Sequence, residues 1–294
     1  MPLRRVIALV LGALVAVPDG ARARALIQTD AARCPSVGSK SHGGCDDAVR
    51  SLSAPFDMWE LARSWTPGFC GGTPGACSKR ECRGDGATDA LTLHGLWPSY
   101  VEATGSRKCY WPQNCVKPRW YPASEPWAFD KTILPRGKAT ERTAPAWTLD
   151  DLGSHEWAKH GTCAAWLDAS GETRGMTQRE FYNVTFALAE TLGTPDALVR
   201  AAGSDLSLAE AQAAFGGETR VALGCTRKCV LVQAVQCFAR AVDGGVGEPI
   251  DCPCVGVRDS RYDNSCAAQC ERVRVLSPEQ TGCDDDLKLV VAAS

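Results

Sequence analysis

A chain of 294 residues with a formal net charge of −2, 22% charged residues and 16 cysteines is long enough for one domain of moderate size with its own core. The slightly acidic balance excludes a protein that coats nucleic acid electrostatically, which needs clustered Lys and Arg, so any phosphate site must be local. The even cysteine count favours disulfides in an oxidising compartment over thiols or zinc, because the close pairs Cys225/Cys229, Cys252/Cys254 and Cys266/Cys270 differ in spacing and have no histidine near them.

Residues 1–25 carry Arg4 and Arg5, an apolar run from Val6 to Val17, and then Ala21-Arg22-Ala23-Arg24-Ala25. The run is shorter than the ~20 residues a bilayer span needs and the small-residue pattern suits signal peptidase, so a cleaved secretory signal is expected. No later stretch is long and apolar enough to span, and the rest is expected to be soluble, without a membrane anchor. Residues 26–54, in which Cys34 and Cys45 are set to close a small loop, look like an N-terminal extension. Residues 55–294 look like the main domain, ending in a cysteine-rich segment.

Phe56 to Trp65 is aromatic-rich and loosely alternating and is closed by Pro67-Gly68, which predicts a strand. Leu91-Thr92-Leu93 is a second, shorter strand with His94 at its end. Between Tyr110 and Trp147, prolines 112, 118, 122, 126, 135 and 145 predict a long ordered loop or an insertion. Thr177-Gln178-Arg179-Glu180 is a capping box, and Phe181, Val184, Leu188 and Leu192 then form an apolar helical stripe. Asn183, in the sequon Asn183-Val184-Thr185, lies opposite that stripe and is a candidate glycosylation site. Ser207-Leu208-Ala209-Glu210 opens a second helix that Gly216 stops, and Val230 to Phe238 reads as a buried central strand followed by an Asp243-Gly244 turn. Strands with helices gathered between them predict an α+β fold, a central antiparallel sheet with helices packed on it, stabilised by disulfides.

Three of the four histidines fall in two short segments, Leu93-His94-Gly95-Leu96-Trp97-Pro98 and His155-Glu156-Trp157-Ala158-Lys159-His160-Gly161-Thr162-Cys163. His42 is expected to be a loop residue. On one helix, His155 and His160 would point about 140° apart, which disfavours the shared zinc that His at i and i+4 would hold. The pairs His155/Lys159 and Glu156/His160 are each four apart and can line one wall of a cleft, with Trp157 turned into the core. Two imidazoles, an ammonium and a carboxylate suit an anion whose protons must be moved, such as a phosphodiester. Taken singly, each residue has a structural explanation, as a core aromatic or a solvated helix pair. Their joint spacing favours chemistry.

The two segments resemble the active-site signatures of the ribonuclease T2 family, secreted or vacuolar endoribonucleases of α+β fold. The likeness extends over roughly residues 55–255, through Trp65-Thr66-Pro67 with Cys70, Trp111-Pro112-Gln113-Asn114-Cys115, and Cys237 with Asp251-Cys252-Pro253. The resemblance implies His94 as general acid, His160 as general base, His155 as phosphate ligand, and Glu156 and Lys159 as stabilisers of the transition state. It also implies that Trp97 stacks on a base, and that Cys115 pairs with Cys163 and Cys237 with Cys252. The implied reaction cleaves single-stranded RNA through a 2′,3′-cyclic phosphate to 3′-phosphate ends, with no metal or other cofactor, no cleavage of DNA, and a monomeric enzyme in the secretory pathway, outside the cell or in a lysosome or vacuole. A catalytically silent recognition or storage protein of the same fold is the alternative, and the retained His94 and His160 argue against it. Ser99-Tyr100 and Leu152-Gly153-Ser154 depart from the family's usual residues at positions that recognise bases in relatives.

Overall fold

In a computed structural model the described residues are 44–46, 56–83, 88–102, 110–115, 130–134, 138–149, 151–167, 172–253, 255 and 262–283. The expected signal, most of the N-terminal extension, His42, and the side chains of Cys34 and Cys45 lie outside them.

The architecture is α+β. Five strands make the central antiparallel sheet: β2 (Met58–Trp65), β3 (Leu91–Ser99), β8 (Val221–Cys225), β9 (Leu231–Arg240) and β10 (Val246–Ile250). β9 is central, with β2 along one edge and β8 and β10 sharing the other; β3 pairs with the far side of β2. Smaller pairs join β1 (Gly44–Asp46) to β4 (Trp111–Gln113), β5 (Ala165–Leu167) to β6 (Thr173–Gly175), and β7 (Ser204–Ser207) to β11 (Arg272–Val275). β3 runs through the whole first histidine segment, six residues beyond the expected strand end, because β2 supplies partners from Leu91 to Ser99.

Helix α1 (Thr66–Gly72) follows β2 directly, with a proline in its first turn. The proline-rich stretch expected to be loop contains two short helices, α2 (Lys138–Thr143) and α3 (Pro145–Leu149); Pro145 opens α3, where its missing N–H costs nothing. α4 is Leu152–Lys159. α5 (Gln178–Leu192) starts with the expected capping box: Thr177 Oγ1 accepts from the Glu180 amide at 3.3 Å and the Glu180 carboxylate accepts from the Thr177 amide at 2.8 Å. Its buried face is Phe181, Tyr182, Thr185, Phe186 and Ala189, while Val184, Leu188 and Leu192 pack at its margin, and Asn183 is exposed. The bulkiest side chains, not the most regular stripe, define the inward face. α6 (Asp196–Ala201) and the similarly capped α7 (Leu208–Ala213) precede β8, and α8 (Ser265–Gln269) lies against it.

One core fills the space between the sheet and α3, α4 and α5, built on Trp59, Leu61, Trp147, Trp157, Phe181 and Tyr182. A second lies around Trp65, Leu223, Leu231 and Val273, under the C-terminal segment. Twelve described cysteines form six disulfides. Two are the pairs the family resemblance implies, Cys115–Cys163 and Cys237–Cys252. The close pairs weighed as zinc ligands are instead cross-linked in parallel, Cys225–Cys266 and Cys229–Cys270. Cys70–Cys82 braces α1, and Cys77–Cys283 spans 206 residues. Closing so long a loop removes much denatured-state entropy, so C77S/C283S is expected to lose about 4 kcal/mol of unfolding free energy, read from chemical denaturation of the two forms.

Candidate active site

The site begins with a register fault. Ala62 pairs with Gly95 and Arg63 with Leu93, which leaves His94 as the extra residue of a bulge on β3. A bulge lets a strand aim a side chain that strict alternation would turn elsewhere. Leu93 and Leu96, three apart, consequently both enter the main core, while His94 and Trp97 share the cleft. The bulge frees the His94 carbonyl from the ladder, and Trp147 Nε1 donates to it at 2.8 Å. His94 Nδ1 lies 3.1 Å from Gln233 Nε2 on β9. An amide N–H can only donate, so this contact makes Nδ1 the acceptor and puts the proton of the neutral ring on Nε2. That atom is 3.6 Å from Glu156 Oε1. Gln233 was visible in the sequence only as one of two glutamines, with Gln236, in a largely apolar strand.

α4 supplies the opposite wall. Glu156 is fully buried, and its Oε2 accepts from Trp97 Nε1 at 2.6 Å. The carboxyl lies directly over Gly95, where an added Cβ would collide with both Glu156 and the indole nitrogen. Glycine is needed here because a carboxyl group occupies the space. Trp157 turns into the core against Phe181 and Tyr182.

The helix ends one residue sooner than the sequence pattern implies. Lys159 is its last residue and His160 caps it, its amide donating to the Glu156 carbonyl at 3.0 Å; Gly161 then packs where a Cβ would meet Trp157. His160 thus keeps the last helical hydrogen bond and lies beside Glu156. Its ring stacks on Trp97, with centroids 5.1 Å apart, and lies 6.4 Å from that of His155. Ligand atoms of His155, Glu156 and His160 all fall within 4.8 Å of one another. The 140° separation expected on a helix therefore does not keep these ligand atoms apart. Among the described residues these three groups are the ones that could take a metal ion, with the Lys159 ammonium beside them opposing a cation.

The Cys115–Cys163 disulfide and a 2.9 Å hydrogen bond from the Asn114 amide to the Lys159 carbonyl fasten β4 to this helix end. The groups enclose a cleft of about 240 Å³, lined also by Glu60, Trp111 and Gln233. Beyond His94, His155 and Gln233 it adjoins a second hollow of about 470 Å³, reached by Phe69, Lys79, Glu81 and Leu152. Trp97, expected to stack on a base, is half-buried and already occupied by His160 and Glu156. Ser99 is fully buried and Tyr100 belongs to the main core, so neither lines the cleft.

Electrostatics follow from this burial. Desolvation pushes the Glu156 carboxyl up to about 8, against the Trp97 hydrogen bond and the Lys159 charge. His94 is pushed down to about 4 by desolvation and then by the charges of His155 and Lys159. His160 lies well below the ordinary imidazole value for the same reasons, desolvation first, and His155 is lowered by desolvation and Lys159. Burial therefore keeps the Glu156 carboxyl neutral up to about pH 8 and favours the neutral form of His160. Glu156 Oε1 and His160 Nδ1 are buried with no hydrogen-bond partner.

The Ribonuclease T2 family model matches residues 56–252, two thirds of the chain and all of the groups above. The chain belongs to the ribonuclease T2 family. Intracellular ribonuclease LX of Solanum lycopersicum is 31% identical to this T2 member over 114 residues, covering 38% of this chain and 43% of its own. A ribonuclease of Aeromonas hydrophila is 27% identical over 153 residues, covering 51% and 53%. The chain spans about half the length of the curated relatives it matches. Among solved structures, an RNase-related protein from Calystegia sepium covers 75% of this chain and 97% of its own, at 19% identity and a TM-score of 0.44. The family span ends at Cys252, so the segment holding Cys266, Cys270 and Cys283 lies outside it.

The pKa directions give opposite pH dependences of stability. Unfolded Glu ionises near 4.5 while folded Glu156 stays neutral to about 8, so its contribution is lost as pH rises through that window. His94, depressed from 6.5 to about 4, loses its contribution as pH falls through the lower window. Glu156→Gln should therefore change unfolding free energy little at pH 5 and stabilise the protein by about 2 kcal/mol at pH 7.5, measured by denaturation at both pH values.

Proposed function

We propose that this T2-family protein is a metal-independent endoribonuclease acting on single-stranded RNA through a 2′,3′-cyclic phosphate. The observation that carries the reading is that two imidazoles from different elements, His94 on the β3 bulge and His160 at the end of α4, flank one cleft with Trp97 between them, beside a buried carboxyl group and an ammonium. Cleavage needs a base for the 2′-hydroxyl and an acid for the departing 5′-oxygen.

His160, neutral and buried, takes the 2′-hydroxyl proton, and O2′ forms a bond to phosphorus as the P–O5′ bond breaks. Protonated His94 gives its Nε2 proton to O5′. The products are a 2′,3′-cyclic phosphate and a free 5′-hydroxyl. The phosphate anion itself supplies the charge that His94 lacks in the free site, offsetting the repulsion from His155 and Lys159. His155 and Lys159 stabilise the non-bridging oxygens, and the neutral Glu156 carboxyl can donate a hydrogen bond there, which a carboxylate could not. Water then opens the cyclic ester with the two histidines exchanging roles, leaving a 3′-phosphate. DNA, without the 2′-hydroxyl, offers no nucleophile. The six disulfides support an oxidising compartment such as the secretory pathway, and the exposure of Asn183 on α5 supports its use as a glycan acceptor. Among the described residues no helix is long and apolar enough to cross a membrane.

Incubation with RNA at pH ~5 in EDTA should yield 2′,3′-cyclic phosphate ends, with a bell-shaped rate profile on the acid side of neutrality. His160→Phe should abolish cleavage, and Lys159→Ala should lower kcat about 100-fold with less effect on KM. Intact RNA after incubation with the wild-type protein would sink the proposal.

A further inference from the structure

Of the two sets of positions that the family resemblance links to base recognition, Ser99 and Tyr100 are buried away from the cleft, and Leu152 lines the adjoining hollow. A different part of the chain reaches the cleft instead. Tyr262 and Asp263, beyond the family-matched span, line the catalytic cleft together with Trp111.

Their placement is built, not incidental. Cys225–Cys266 ties the segment to the end of β8. Asn264 Oδ1 accepts from the Leu223 amide at 3.0 Å, and Ser265 Oγ bonds both the amide and the carbonyl of Cys225, at 2.7 and 2.8 Å. These contacts replace the strand partner that β8 lacks on its outer edge. Asp263 Oδ1 accepts from the Ser265 amide at 3.2 Å, and Oδ2 rests over Gly224, where a Cβ would stand 2.7 Å away. Gly224 is paired with Gln233, the residue that binds His94. The carboxylate therefore stands one strand from the acid–base machinery, with the half-buried Trp111 ring lining the same cleft.

A carboxylate beside a phosphate site repels the backbone of RNA. It is useful only to a part of the substrate that carries hydrogen-bond donors, and the bases provide these. Adenine and cytosine have exocyclic amino groups, whereas uracil presents carbonyl oxygens in the same positions. Trp111 offers a stacking face that accepts any base. From this arrangement, which rests on the ribonuclease reading, we infer that Asp263 is a specificity-determining residue that selects an amino-bearing base beside the scissile phosphate.

The test compares cleavage of the dinucleotides ApA, CpC and UpU by the wild type, Asp263→Asn and Asp263→Ala, with UpU as internal reference. The wild type should favour ApA and CpC, and Asp263→Ala should lower the ApA/UpU and CpC/UpU ratios of kcat/KM about tenfold, as for loss of a hydrogen bond to a charged group, with a smaller fall for Asp263→Asn, whose amide oxygen still accepts. A substrate-side measurement is independent of variant folding: the purine-riboside dinucleotide, which lacks the amino group, should be cleaved by the wild type about tenfold less well than ApA, and the two should be equal for Asp263→Ala. A wild-type preference for UpU, unchanged ratios in the variants, or equal wild-type rates on ApA and its deamino analogue would overturn the inference and leave the ribonuclease reading standing. Failure of the wild type to cleave any of the dinucleotides or longer RNA would remove that reading itself.

Discussion

The contact on which the rest of the site depends is the buried carboxyl of Glu156 lying over Gly95 and held by the Trp97 indole N–H. It joins the two histidine segments at one point. Without a glycine at 95 the helix could not approach the strand this closely. The same burial sets the chemistry, because a carboxyl group excluded from water keeps its proton to a higher pH than a solvated one. Packing and protonation state are here one fact. Arg or Lys placed against Glu156 would have ionised it, and no described cation makes an ion pair with it except the titratable His94.

The membership of the candidate site was largely legible in the sequence, and much of its geometry was not. Residue types and spacing singled out His94, Glu156, Lys159 and His160, and the capping boxes at Thr177 and Ser207 mark helix starts that the structure shares. The bulge at His94 is invisible in β3 alone, since it exists only as a mismatch with β2, some thirty residues earlier in the chain. The placement of His155, Glu156, Lys159 and His160 along one cleft follows from their spacing on α4 and its last turn. Gln233 and Asp263 carried weak signals, one of two glutamines in a largely apolar strand and an acid in a cysteine-rich segment. Neither has meaning until the sheet and the disulfides bring it to the cleft.

The C-terminal segment changes how the cysteine count is read. Cys225 and Cys229 face Cys266 and Cys270 as two parallel cross-links, with the same separation of 41 residues in each. Two links hold a segment against rotation as well as translation, so the short α8 needs little core of its own. The differing spacings of the close pairs and the lack of a nearby histidine point away from a metal site, and the cross-links supply the partners that sequence alone leaves open.

Cys77 has a different consequence, one of timing. It lies between Cys70 and Cys82, which pair with each other, while its own partner, Cys283, comes 206 residues later. On a chain emerging N-terminus first at about 5–20 residues per second, that partner is absent for roughly 10 to 40 seconds. Throughout that interval the Cys77 thiol is next to two others that it must not capture. Cys77 is nearer in sequence to Cys70 and to Cys82 than those two are to each other, across 12 residues. The pairing of Cys70 with Cys82 is therefore set by the fold around α1 and not by spacing, and it leaves Cys77 as the thiol that Cys283 joins.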